Sequence, residues 1–142
     1  MTMNPAARQD LTWLLDDFET NPGVVHAMVL SADGIKIQKS SSLSDQEAEV
    51  LSASASALYS LAGGSGERFG SGPVGQVLIE YQGQQGHVLL IVAAGKNARL
   101  AVLCDSTVDL GSMGYATARM VRQVGQVMGT PVRATARDGL PA

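Results

Sequence analysis

The sequence holds one cysteine, Cys104, so it can form neither an internal disulfide nor a thiolate metal cluster. Histidines number two, His26 and His87, too few for a metal centre without help from elsewhere. Six aromatic residues (Trp13, Phe18, Tyr59, Phe69, Tyr81 and Tyr115) leave little material for a base-stacking nucleic-acid surface. The longest apolar run, Val88 to Ala94, is far too short to cross a bilayer. Met1 to Met3 lead straight into polar sequence, without the charged and then apolar opening of a signal segment. The sequence therefore predicts a cytoplasmic protein with no nucleic-acid partner, no membrane insertion and no cofactor.

What remains is ample for a packed domain. A chain of 142 residues, 45% apolar and 16% charged, has the length and composition to bury one core, built of Val, Leu, Ile, Met and Ala. Its net charge of −3 is unevenly spread. Residues 1–60 carry eight acids against three bases, and residues 61–142 five acids against seven bases. That balance disfavours DNA or an anionic membrane and suits a protein partner with a basic patch.

Asn4-Pro5 reads as a helix start, with Asn at the N-cap and Pro in the first turn. Leu11, Leu14, Leu15 and Phe18 follow at helical spacing, and Asn21-Pro22-Gly23 stops the helix. Val24 to Leu30 and Ile35 to Lys39 form a hairpin about Asp33-Gly34, whose central residues both call for positive φ. Ser44-x-x-Glu47 is a capping box, with Leu43 stapled to Ala48. Ala48, Leu51, Ala55, Leu58 and Leu61/Ala62 continue a helical stripe to about Gly63. Gly63 to Gly75 then reads as a helix stop and flexible link.

Three apolar runs follow, Val74–Tyr81, Gly86–Ala94 and Arg99–Cys104, joined by short turns that force antiparallel neighbours. The middle run is apolar on both sides and belongs inside the sheet. Asp109 caps a last helix with Leu110, Met113, Thr117, Met120/Val121, Val124 and Val127/Met128 inward, stopped at Gly129-Thr130-Pro131. The order α-β-β-α-β-β-β-α predicts an α/β sandwich: a five-stranded antiparallel sheet with helices on both faces. Its domain spans residues 1–130, followed by a flexible tail over 131–142.

Motifs for chemistry are missing. His26 and His87 read as tolerated strand histidines, which could meet across the sheet but lack a third ligand. Cys104 sits in an apolar strand beside Asp105 with no activating cation. Gly95-Lys96-Asn97 lacks the rest of a phosphate loop, and Gly63-Gly64-Ser65-Gly66 follows a helix rather than a strand. No catalytic, cofactor or metal residues are assigned, and the chain is not expected to be an enzyme.

The unusual feature is a surface. Ser52 to Ala57 alternates Ser and Ala, so no side chain there is bulky. With Leu51, Ala55 and Leu58 inward, Ala53, Ser56, Ala57 and Ser60 face elsewhere and let another helix approach closely. An ordinary Ala-rich surface helix is the competing reading. The third strand, with Val77, Ile79 and Tyr81 on one face, is a natural edge that a second copy would cover. Those seven residues are the expected dimer interface.

Over about residues 8–128 the chain resembles the Roadblock/dynein light-chain family. The resemblance lies in the element order, the strand-turn Val25 to Gly34 ending in Ser-x-Asp-Gly, the Ser/Ala-rich helix and the Leu110-Gly111 opening of the last helix. It is most similar to actinobacterial members, found in gene clusters beside a sensor-kinase-like protein and a Ras-like GTPase. The resemblance implies a homodimer whose sheet runs through both copies, and a small Ras-like GTPase as partner. Glu49, Ser52, Ser56 and Tyr59 are then the expected partner contacts. In a motility relative the dimer stimulates GTP hydrolysis by reshaping the GTPase. The simple tail after Pro131 departs from relatives with a C-terminal extension. A different class, a small-molecule sensor resembling PAS or profilin-like folds, would need a pocket between sheet and helices.

Overall fold

The computed structural model describes residues 5–128, without the side chains of residues 7–10. The expected N-cap Asn4 and the tail over 131–142 lie outside the described residues. Eight elements follow one another: α1 (Pro5–Phe18), β1 (Val24–Ser31), β2 (Lys36–Lys39), α2 (Asp45–Arg68), β3 (Gln76–Glu80), β4 (Val88–Ala93), β5 (Ala98–Cys104) and α3 (Leu110–Val127). The five strands form one antiparallel sheet in the order β2-β1-β5-β4-β3. The sequence predicts this α/β sandwich, and the chain adopts it.

Two apolar cores flank the sheet. Leu11, Leu14, Leu15 and Phe18 of α1 join Met113, Met120 and Val124 of α3 over one face, meeting Val29, Leu90, Leu100 and Val102. The other face carries Met28, Leu30, Leu89, Ile91 and Ala101 beneath Ala48 and Ala55 of α2. Because β4 gives Leu90 to one core and Leu89 and Ile91 to the other, it is buried on both faces. Leu110, expected inward, lies at the start of α3 with 48% of its surface exposed.

The β1–β2 turn explains its Ser-x-Asp-Gly sequence. Ser31 Oγ donates to the Asp33 carboxylate and accepts the Ile35 N–H at 3.1 Å. Gly34 takes φ 89° with its N–H on Ser31 O at 3.0 Å. A Cβ on Gly34 would lie 3.2 Å from Ser56 Cβ, so this turn rests on α2.

Helix α2 overturns one expectation: it does not stop near Gly63 but continues through Gly63, Gly64, Ser65 and Gly66 to Arg68. Each such glycine costs a helix roughly 1 kcal/mol against alanine, so tertiary packing must offset it. The returning chain lies directly on the helix there. Ser71 N–H donates to Gly66 O at 2.7 Å, and a Cβ on Gly66 would meet Gly72 O at 2.5 Å. Gly66 is the point where the returning chain docks, and the link that follows is shorter than the sequence suggests.

Candidate interaction surface

The cap of α2 forms as its sequence asks. Glu47 N–H donates to Ser44 Oγ and Ser44 N–H to Glu47 Oε1, both at 3.1 Å. The Ser44 N–H and hydroxyl hold the Glu47 carboxyl below its usual range. From this fixed start, Ala48, Ser52 and Ala55 point into the sheet.

Ser52 is therefore a correction. Expected as an exposed partner contact, it is buried, with its hydroxyl donating to Ala48 O at 2.8 Å and lying 3.9 Å from Met28 Sδ. A small residue is needed there because Met28 and the β1–β2 turn come close. Ser56 serves the same contact, half-buried and donating to Ala32 O at 3.2 Å. Part of the Ser/Ala alternation thus has its cause inside the chain.

The rest does not. Ala53, Ala57 and Ser60 are exposed on the outer side of α2. Two large apolar residues flank them: Val50 at 65% exposure and Leu61 at 71%. Leu61 is a second correction, since its expected place was the inward stripe. Residues 50, 53, 57, 60 and 61 keep helical spacing, so they form one outward stripe, apolar at both ends and small in the middle. Val50 and Leu61 are both legible as large apolars beside the small segment, but the inward-stripe reading leaves Val50 out and takes Leu61 for its own. Glu49 is exposed beside Gly34 and Lys36, on the β2 side of the helix. Tyr59 is half-buried, its hydroxyl donating to Val74 O at 2.9 Å.

β3 is an edge, as the sequence predicts, and only β4 pairs with it. Val77 and Ile79 are half-buried against the α2 core, Leu78 is 41% exposed on the opposite face, and Tyr81 is 47% exposed. Between the first half of α2 and the sheet, from β1 across β5 and β4 to Tyr81 just past β3, runs an open groove of about 560 Å³. Leu89 and Leu103 floor it, Val50 and Ser54 form one wall, and Tyr81 stands at the other.

The two histidines also line this groove, on the same face of the sheet. His26 Nδ1 lies 2.7 Å from Ser42 Oγ, and that hydroxyl donates to the Glu19 carboxylate. With the one serine proton so engaged, Nδ1 is the donor of its pair. Among the described residues no group of three His, Cys, Asp or Glu could hold a metal ion. Cys104 is buried, and burial, with a smaller push from the Asp105 charge, raises its thiol to about 11. It is protonated at neutral pH. No described helix is long and apolar enough to cross a membrane.

Comparison with known proteins places this geometry. No curated protein sequence matches the chain. Among solved structures, a Roadblock/LC7 domain from Streptomyces avermitilis is 33% identical, with a TM-score of 0.76 over 82% of this chain and 96% of that one. The gliding protein MglB of Thermus thermophilus is 14% identical, with a TM-score of 0.78 over 92% and 97% of the two chains. MglB of Myxococcus xanthus is 13% identical, again with a TM-score of 0.78, over 95% and 99%. At those identities the two MglB likenesses are of fold. A family model described as the Roadblock/LC7 domain matches residues 11–104, which hold the whole sheet and α2. The chain belongs to the Roadblock/LC7 domain family.

Proposed function

We propose that this protein is a non-catalytic homodimeric regulator or scaffold that binds a small Ras-like GTPase. The observation that carries the reading is the coincidence of two unpartnered features on one side of the molecule. The outer stripe of α2 (Val50, Ala53, Ala57, Ser60, Leu61) lies beside the β3 edge (Val77, Ile79, Tyr81), and Val50 of the one and Tyr81 of the other line one apolar groove. Pairing of β3 with its copy satisfies the open edge and brings two α2 helices together at their smallest side chains. The reading is supported by the family, and by a solved structure of MglB in a tetrameric arrangement, which is evidence of self-assembly in that protein.

The GTPase meets the dimer through α2, at Glu49, Tyr59 and the exposed part of Ser56. Stimulation of GTP hydrolysis is the finer form of the proposal, and a sensor-kinase-like protein is a further partner. The test is association of the purified chain with Ras-like GTPases of its source organism, loaded with GDP or a GTP analogue. The expected result is a dimer by light scattering that retains one GTPase in one nucleotide state, and a monomer for Ala57→Lys. A stable monomer at micromolar concentration overturns the reading, as does a dimer indifferent to every GTPase offered.

A second reading, a small-molecule sensor, is favoured by the groove itself. About 560 Å³ with an apolar floor and two histidines is the size and character of ligand sites. A metabolite recovered by mass spectrometry from purified protein, and lost on Leu89→Trp, supports it.

A further inference from the structure

Arg99 is a half-buried cation with no anion beside it among the described residues. It begins β5 on the α2 face, and its guanidinium lies 4.3 Å from the centre of the Tyr59 ring. Tyr59 is held in turn by its hydroxyl bond to Val74 O. Of the five guanidinium N–H groups, Nη1 donates to Ala98 O at 3.0 Å. Among the described residues no carboxylate lies within 4.0 Å of Arg99; Asp45 serves Lys36 and Lys39, and Glu19 lies 4.0 Å from His26 Nδ1. Lys96, three residues earlier in the β4–β5 turn, has no ion pair among the described residues either. Asp33 stands in the neighbouring β1–β2 turn, joined to this one by Ala32 N–H on Asn97 O at 2.9 Å. Its carboxylate is already engaged by Ser31, whose hydrogen bond holds it below the usual range.

A partly desolvated guanidinium is stabilised by a carboxylate that accepts two of its parallel donors. Here the Tyr59 ring and the Ala98 carbonyl already hold the guanidinium, so less side-chain entropy is left to lose when such a group arrives. Tyrosine and arginine together are also the residues that most often anchor protein interfaces. We propose that Arg99, stacked on Tyr59 where β3 begins, receives a carboxylate from an acidic segment of the protein partner. The inference rests on the reading above in taking the occupant to be a protein, and it adds a residue and a charge requirement to it. The surplus of positive charge at this end of the sheet, Arg99 with Lys96, selects an acidic segment within a protein that is acidic overall.

The test needs no GTPase. The ¹⁵N-labelled full chain is titrated with hexaglutamate, with hexaglutamine and with inorganic phosphate at matched ionic strength, following the arginine Nε–Hε signals. The expected result is a saturable shift of the Arg99 signal and of the Tyr59 and Val74 amides with hexaglutamate, and none with hexaglutamine. Arg99→Gln abolishes the amide shifts, and Arg99→Lys, which keeps the charge and the fold, weakens binding about tenfold by losing the fork. Equal shifts at every arginine, a response surviving in Arg99→Gln, or tighter binding of phosphate than of the peptide each overturns the proposal. Hexaglutamate binding in a protein that ignores every GTPase sinks the GTPase reading and leaves this one standing. A GTPase that binds Arg99→Gln as tightly as the parent chain sinks this one alone.

Discussion

The two edges of the sheet are built on opposite plans. β2 is four residues long and carries Lys36 and Lys39, whose ammonium groups lie 3.4 and 3.9 Å from Asp45 at the start of α2. The Lys39 N–H, turned away from the sheet, is taken by the side-chain oxygen of its own neighbour Gln38 at 3.1 Å. β3 has Val77, Leu78 and Ile79 in succession, no lysine and no proline. Charge and self-satisfied amides are the devices by which proteins keep an edge from pairing with another chain. One edge of this sheet is defended and the other is open, which makes β3 the border at which a second copy is to be sought.

The sharpest way to break that comparison is to close β3. Tyr81 N–H bonds inward to His87 O, and the β3–β4 register runs without a shift, so by alternation the Leu78 N–H points outward. Leu78→Pro removes that outward donor while sparing the ladder to β4. The expected outcome is a monomer by light scattering and a dimer at least about a hundredfold weaker, roughly 3 kcal/mol. Amide hydrogen exchange in β4 should stay close to that of the parent. A Leu78→Pro protein that still runs as a dimer moves the interface away from this edge.

A smaller effect is expected beside the defended edge. Gly34→Ala forces a side chain onto φ 89° and against Ser56 Cβ at 3.2 Å. The cost should be about 1–2 kcal/mol of folding stability, read as a lower urea midpoint at unchanged slope. Oligomeric mass should not change, because this turn rests on the inner side of α2. If Gly34→Ala splits the dimer, the two edges are coupled through the helix and the comparison fails.

How much of this was legible in the sequence follows from which forces act locally. The capping box at Ser44, the helical stripe of α3 and the double-sided apolar pattern of β4 were legible, because cap chemistry and periodicity are properties of a few neighbouring residues. The placement of β1 beside β5, Met28 opposite Ala101, was not, because strands far apart in sequence leave no local mark of their pairing. The extent of α2 past Gly63 was hidden for a related reason. Glycine propensity argues for a stop, and only the chain folding back at Gly72 reverses it. On the candidate surface, Ala53, Ala57 and Ser60 came from spacing, whereas Ser52 fell on the wrong side of the helix by about half a turn. Arg99 gave no signal, since its meaning lies in a stack on Tyr59, forty residues earlier.

The smallest expected effect tests what the defended edge is for. Lys36→Ala with Lys39→Ala removes two surface ion pairs to an Asp45 that is itself exposed, so folding stability should change by no more than ~0.5 kcal/mol. The consequence should appear in assembly. Without the two ammonium groups β2 keeps Ile37 and an open ladder, and pairing through it would extend the proposed dimer at both ends. Light scattering should then show mass growing with concentration beyond the dimer, suppressed again when Leu78→Pro limits each chain to one usable edge. A double variant that stays dimeric at every concentration would mean that shortness and the Gln38 cap protect β2 by themselves, with the lysines present for another reason.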